Sequence, residues 1–481
     1  MLSYQDLVKV GDDEQKRMSF ILDVINAHKN SRLYKEGAIA KEYFEKRNTT
    51  IMEFQKLLYT VTGEAIPDNY SADYKLRSTF FRRFAVQQNQ YLLGNGVSWN
   101  NNATEEKLGN KRYPFDLQVQ KAGRYAIWGA VSFGFWNLDH LDIFDVLEYA
   151  PLWDENDGSM KAGVRFWQID STKPLRATLY EMDGYTDYIW NKVENDGKIQ
   201  YAGEILGEGK QSYVQITVSS EADGTQIYNA TNYDGFPIVP LWANEDHQTE
   251  LEGLREQIDC YDLIKSGFAN TVDEASYIYW AIQNAGGMDD IDLANFVDRM
   301  KTLHAGLVED SNARAEAHTI EAPYASREAL LDRLRNDLYE DAMALDTKSI
   351  QGGAITATQI RASYDNLERK TDDYEYCVIE FINGVLALAG IDDEPTFTRS
   401  RIVNVQEEIQ TIISAGTYLE PSYVTEKILT ILGDGDKAEE MLREMDANEI
   451  SPLQVKAEEE EAEEEVTEEE VKAIDEELMN G

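Results

Sequence analysis

The sequence predicts an α+β protein, and three observations carry that reading. Apolar residues recur at three- and four-residue steps in the first 95 or so residues and again after about residue 245, the signature of amphipathic helices. Between them, from about Tyr113 to Val239, the texture changes to Tyr, Trp, Phe, Val and Ile broken at short intervals by Asp-Gly turns, which predicts antiparallel strands. Finally, 481 residues exceed one ordinary core, and at roughly 150 residues per domain about three units are expected.

Taken in order, the first stretch is expected to be helical, with Ile21, Val24 and Ile25 at helical spacing and a second amphipathic segment at Phe54, Leu57 and Leu58. The strand region is punctuated by Asp157-Gly158, Asp183-Gly184, Asp196-Gly197 and Asp223-Gly224. After Pro237 and Pro240 a long helix is read from the stripe Leu251, Leu254, Ile258, Tyr261, Ile264 and Phe268, and a matching stripe returns at Leu331, Leu334 and Leu338. A mixed insertion, about 272–323, separates them and contains Gly286-Gly287, so the pair reads as a two-helix column with a head. Residues 346–354, with two glycines and little apolar content, interrupt the helix as a flexible loop. A long helix, about 357–389, stops at Gly390, and shorter helices follow at about 404–414, 422–432 and 436–445. The last 27 residues, 455–481, hold 13 acidic residues against two lysines, a density that opposes compaction and predicts a solvated tail.

Charge narrows the function classes. With 89 acidic and 45 basic residues the formal net charge is −44, so the chain repels nucleic acid on average and lacks the dense basic face of a sequence-reading DNA binder. Cys260 and Cys377 lie far apart in apolar-periodic stretches, which argues against a disulfide framework or zinc site and for a reduced cytoplasm. No run of about 18 apolar residues occurs, so no membrane association is expected. Gly207 to Ser212 imitates a phosphate loop, but Glu204 stands where a glycine is needed and Gln211 where Ser or Thr is needed; a hairpin turn is expected there. Gly94-Asn95-Gly96 reads as a turn between helix and strand. The five histidines (His28, His140, His247, His304, His318) include no two at the spacing that places metal ligands on one helical face. The sequence thus predicts no catalytic centre, no metal site and no cofactor, and no enzyme.

Several segments taken together resemble the portal proteins of tailed bacteriophages with long non-contractile tails. The segment 69–96 (NYSADYKLRSTFFRRFAVQQNQYLLGNG) is similar to the family's Asn, basic helix and Tyr-Leu-Leu-Gly stretch ahead of the first strands. Gly235 to Leu241, followed by Asn244 and Gln248 to Glu252, resembles a strand ending in Pro-Val-Pro that leads through an Asn into a helix. That helix ends in Ile-Asp-Ala-Tyr-Asp in the family, and here Ile258-Asp259-Cys260-Tyr261-Asp262 matches it with Cys for Ala. The resemblance covers about residues 30–450 and leaves the acidic tail unassigned.

The resemblance implies a portal fold: a helical and antiparallel β wing, a two-helix stem, a small α/β clip and a helical crown. On this chain the N-terminal segment and wing fall at 1–245, stem helices at 246–270 and 324–346, the clip at 271–323 and a tunnel loop at 347–356. A long wing-to-crown helix follows at 357–395, then the crown at 396–454 and the acidic tail at 455–481. It implies a homo-oligomeric ring, usually a dodecamer, at the special capsid vertex of the virion, assembled in the host bacterial cytoplasm. Implied partners are the terminase packaging motor, a head-completion adaptor, and the major capsid and scaffolding proteins. Double-stranded DNA would pass through without sequence-specific contact. An acidic wall would avoid the friction of phosphate binding, leaving contact to Lys348 and Gln351, with Gly352 and Gly353 for mobility; the alternative role for Lys348 is to cap a helix end or pair with Asp346. Lys75, Arg77, Arg82 and Arg83 are the candidate subunit-interface residues. The rival reading is a carbohydrate-binding or carbohydrate-active particle protein that uses the aromatic strands; a non-portal acidic scaffold fits the charge but not the helical column.

Overall fold

The computed structural model describes residues 2–59, 63–69, 71–195, 198–220, 226–274, 279–283, 291, 295, 314–318, 324–350, 357–400, 405–416 and 418–432. The chain divides into two compact units, Met1–Gly353 with Ala362–Ser400 and, separately, Ala354–Arg361 with Arg401–Gly481. The Gly286-Gly287 segment, Gln351, Gly352, Gly353, the expected helix at 436–445 and the acidic tail lie outside the described residues.

The first unit begins with helices whose starts are written in the sequence. Ser3 and Asp6 form a reciprocal capping box at α1 (Tyr4–Val10), Asp13 caps α2 (Glu14–Asn30) and Ser31 caps α3 (Arg32–Phe44). The short α4 (Thr49–Glu53) follows. The segment around Leu57, expected to be helical, is instead a small hairpin of β1 (Leu57–Tyr59) and β2 (Ala65–Pro67), with Leu57 opposite Pro67. The β-branched run Thr60-Val61-Thr62 disfavours a helix, and Gly63, at φ 85°, permits the reversal. Next come α5 (Phe80–Leu93), β3 (Val97–Ser98), α6 (Asn102–Leu108) and α7 (Phe115–Gly129). Helix α7 falls inside the stretch expected to be strands. Its Phe115, Val119, Ala122, Ala126 and Ile127 are all buried at helical steps behind Pro114, so the local period overrides the aromatic composition.

Ten strands follow: β4 (Val131–Asn137), β5 (His140–Asp145), β6 (Tyr149–Trp153), β7 (Met160–Trp167), β8 (Leu175–Glu181), β9 (Gly184–Asn195), β10 (Lys198–Gln211), β11 (Val214–Ser220), β12 (Gln226–Thr231) and β13 (Ile238–Trp242). They form an antiparallel five-stranded sheet in the order β10-β9-β8-β7-β6, a three-stranded sheet β13-β4-β5 and the separate pair β11-β12. The Gly207 segment is a bulge inside β10, not a hairpin turn: the register jumps from Leu206 opposite Asp187 to Gln211 opposite Tyr185, with Gly207 and Gly209 at positive φ. Aromatics of the strands and of α7 fill the interior. Trp128, Trp190, Tyr149, Tyr188, Phe133 and Phe144 are among the largest fully buried side chains. Gly163 exists for one of them, since a Cβ there would sit 1.8 Å from the Tyr149 hydroxyl.

The chain then becomes helical: α8 (Arg255–Glu274), a strand pair β14 (Tyr279–Gln283) and β15 (Arg314–His318), and α9 (Tyr324–Asp341), followed by a 3-10 turn at Thr347–Ile350. The long α10 (Ala357–Ala389) ends at Gly390, whose φ is 63°, and from Ala362 onward it belongs to the first unit. Its Tyr374, Val378, Phe381, Ile382 and Val385 are buried in the same core as Val119, Ile127 and Leu241. Strand β16 (Thr396–Phe397) pairs with β3. In the second unit, α11 (Val405–Ala415) packs on α12 (Pro421–Leu432). Among the described residues no helix is long and apolar enough to cross a membrane.

Candidate conduit loop and stem junction

Helices α8 and α9 run antiparallel, and three contacts fix their register. Gln257 Nε2 donates to Asp341 at one end, while the Phe268 and Tyr324 rings meet edge to face at 5.6 Å and Arg327 Nη1 donates to Thr271 Oγ1 at 2.7 Å at the other. This is the two-helix column read from the two Leu stripes.

The column is fastened to the N-terminal helices by the segment Ile258-Asp259-Cys260-Tyr261-Asp262. Ile258 is buried; Asp259 accepts from the Tyr43 hydroxyl and from Thr50 Oγ1 at 2.7 Å; Tyr261 meets Phe80 edge to face at 5.0 Å. Asp262, wholly buried, accepts the Ser78 amide at 2.8 Å and the Asn48 side-chain amide. Burial raises the Asp262 carboxyl above the ordinary range, opposed by the hydrogen bonds from Asn48 and Ser78. Cys260, the position that departs from the family pattern, is exposed and takes no part in these contacts.

At the far end of α9 the chain is held on three sides before it reaches the 3-10 turn. Gln87 of α5 grips the Leu345 backbone twice, donating Nε2 to its carbonyl at 3.1 Å and accepting its amide at 3.0 Å. Lys370 of α10 donates to the Ala342 carbonyl at 3.1 Å and pairs with Glu250 at 2.6 Å, and Glu250 also accepts from Asn244 at 2.9 Å. Arg335 pairs with Asp346 at 2.6 Å while its guanidinium lies 4.9 Å from the Tyr339 ring centre. The Asp346 carboxylate next accepts the Lys348 backbone amide at 3.0 Å, an Asx-type start to the turn. Asp346 therefore caps the turn and pairs with Arg335, and the Lys348 ammonium is left exposed to solvent. Its expected companions Gln351, Gly352 and Gly353 lie outside the described residues.

Three of the four candidate interface cations bond within their own chain. Lys75 is used within its own chain, donating to the Met52 and Phe54 carbonyls at 3.0 and 2.9 Å. Arg77 is exposed. Arg82 donates to the Phe44 carbonyl at 3.4 Å and lies over its ring, and Arg83 donates to the Tyr339 hydroxyl at 2.8 Å. Arg82 and Arg83 share one open groove of about 400 Å³ with Lys46, Thr79, Val86 and Gln87.

Comparison with known proteins decides the family. Residues 138–450, well over half of the chain, match the family described as "Phage portal protein, SPP1 Gp6-like". The chain belongs to that family. It is similar to the portal protein of Clostridium phage phiCD119, 25% identical over 197 residues, which is 38% of this chain and 44% of that protein, less than half the relative's length. It is also similar to the portal protein of Bacillus phage SPP1, 22% identical over 383 residues, covering 76% of this chain and 74% of that one. Among solved structures it is similar to a chain in the virion of a native gene transfer agent particle, with TM-score 0.43 and 11% identity, covering 74% of this chain and 89% of that one.

Within this portal-family chain, the match spans the strands from β5 on, both column helices and the 3-10 turn. Sequence reasoning reached Asp259 and Asp262 through the family pattern but missed Gln87, Arg335 and Lys370. Each of those acts on a partner that only folding brings near, and the one local signal is the Arg335–Asp346 spacing across the end of α9.

Proposed function

We propose that the chain is one subunit of a homo-oligomeric ring, with twelve copies expected, at the capsid vertex through which double-stranded DNA enters and leaves the particle. Membership of the portal family over residues 138–450 is the observation that carries this reading. On this reading residues 1–245 form the wing, α8 and α9 the stem, the segment between them the clip, 347–356 the tunnel loop and 396–454 the crown.

The physical case for a conduit starts from charge. A wall that neutralised phosphates along its length would hold DNA by counterion release, whereas a chain of net charge −44 encloses it without gripping. The tunnel loop then needs a fixed base and a reach into the channel. The clamp of Gln87, Lys370 and Arg335 supplies the base, and the exposed Lys348 ammonium supplies the contact. The clip docks the terminase packaging motor and later the head-completion adaptor, and ATP hydrolysis belongs to the motor, because the Gly207 segment lacks the phosphate-loop residues. Major capsid and scaffolding proteins meet the outer surface.

The glycan-binding alternative loses support from the burial of Trp128, Trp190, Tyr149 and Tyr188, since a sugar-binding face needs open rings. Negative-stain microscopy of the purified full chain tests the reading: rings with a central hole are expected, and a monodisperse monomer would overturn it.

A further inference from the structure

The chain has about twice as many acids as bases, and several of its cations sit in ion pairs. Arg17 pairs with Glu181, Arg335 with Asp346, Lys370 with Glu250 and Arg399 with Asp372. At the junction of α3 and α5, by contrast, three cations gather in one groove. Among the described residues, none of the ion pairs within 4.0 Å involves Lys46, Arg82 or Arg83, although all three line it. The acids nearest in sequence are already taken, because Arg47 engages both Glu42 and Glu45. Lys46 itself occupies the left-handed position after α3, at φ 65°, and is exposed at the groove's edge. Val86 adds an exposed apolar strip to the floor.

The complementary feature lies on α9. Glu328, Asp332 and Glu340, with Asn336 between, recur at four-residue steps and so form one ridge of the helix, and all are exposed. No ion pair to these three acids occurs among the described residues, whereas Asp337 beside them is paired with Arg333 at 3.8 Å. Groove and ridge both belong to the first unit.

We propose that the Lys46–Arg82–Arg83 groove of one copy receives the Glu328–Asp332–Glu340 ridge of a second copy. Two different, mutually complementary surfaces on one chain make a heterologous contact, the kind that closes into a ring. The inference rests on the ring reading and deepens it by naming both faces. It also divides the basic stretch: Lys75 is spent on its own chain, whereas Arg82, which rests on Phe44 of its own chain, keeps its charge for the neighbour. Because the pairs lie at an exposed surface, their attraction is screened by salt, and ring assembly weakens as ionic strength rises.

The test uses the full chain and a charge-reversal cycle. Lys46→Glu with Arg82→Glu alters two side chains that no carboxylate of their own chain engages, and Arg83 is left in place because it holds Tyr339. This pair, and separately Asp332→Lys with Glu340→Lys, is expected to lower the ring fraction at least tenfold by size-exclusion chromatography and negative-stain microscopy, with an unchanged thermal transition. The chain carrying all four substitutions is expected to regain rings. Undiminished rings in either pair, or no recovery in the four-fold variant, would overturn the proposal. Rings undiminished by the Lys46/Arg82 pair but with faster loss of double-stranded DNA would assign the groove to phosphate instead. An unaltered chain that forms no rings would defeat the ring reading itself.

Discussion

The side chain of Gln87 holds both backbone polar groups of Leu345, Nε2 donating to the carbonyl at 3.1 Å and Oε1 accepting the amide at 3.0 Å, across 258 positions of sequence. A carboxamide is the one common side chain that can complete such a pair, since it carries a donor and an acceptor side by side. Replacing it with leucine leaves two half-buried backbone groups without partners, at a cost of about 2 kcal/mol. Thermal unfolding of Gln87→Leu should show that loss, and amide exchange at Leu345 should accelerate. Protection at Leu345 unchanged from the native chain would show that Gln87 does not hold this backbone.

Asp262 is wholly buried and its carboxyl is raised by that burial. The folded state therefore holds its proton to higher pH than the unfolded state, so this group's contribution is full below about 3.8 and is lost as pH rises through the folded value. Asp262→Asn keeps an acceptor for the Ser78 amide and removes the charge, so its stability relative to the native chain should improve as pH rises from 3.5 to 7. Asp262→Leu, which strands the Ser78 amide, should be about 2 kcal/mol less stable than Asp262→Asn at every pH. Parallel melting-temperature series against pH check both; a constant offset for the Asn variant would count against the buried-charge explanation.

His28 works in the opposite sense. It is buried against the Tyr34 and Phe166 rings with Nε2 2.7 Å from the Val146 carbonyl, and burial lowers its pKa from 6.5 in spite of that hydrogen bond. The unfolded state binds the proton more readily, so the contribution of His28 is present above pH 6.5 and is lost as pH falls toward the folded value. His28→Gln should flatten the decline in melting temperature between pH 7.5 and 5.5. An identical decline in both chains would show that other groups govern acid sensitivity.

Gly123 of α7 lies where a Cβ would come within 2.0 Å of the Tyr374 hydroxyl and 2.2 Å of Asn89 Oδ1. Those two atoms are hydrogen-bonded at 3.1 Å and buried, and they tie α10 to α5. Gly123→Ala should therefore destabilise the chain by about 3 kcal/mol, although alanine is the better helix former. A melting temperature equal to or above that of the native chain would show that the site can relax.

The sequence by itself determined the elements whose cause is local. The bounds of α10 follow from an unbroken 3.6-residue period closed by Gly390, the caps of the first three helices from Ser3, Asp13 and Ser31, and the paired helices α8 and α9 from two matching stripes. The family pattern at 258–262 was legible too, though not what each residue does, because Asp259 and Asp262 find their partners more than 180 positions away. Aromatic composition misled at Phe115–Gly129, where the helical period prevailed, and apparent helical period misled at Leu57, which lies in a hairpin. Only the tertiary structure decided that Gln87, Arg335 and Lys370 hold the chain between α9 and the 3-10 turn, and that Lys75 is engaged within its own chain while Lys46, Arg82 and Arg83 line a groove. The reason is that helical period and capping act within a turn or two of chain, whereas hydrogen bonds and charge partners depend on distances in space that no spacing in the sequence encodes.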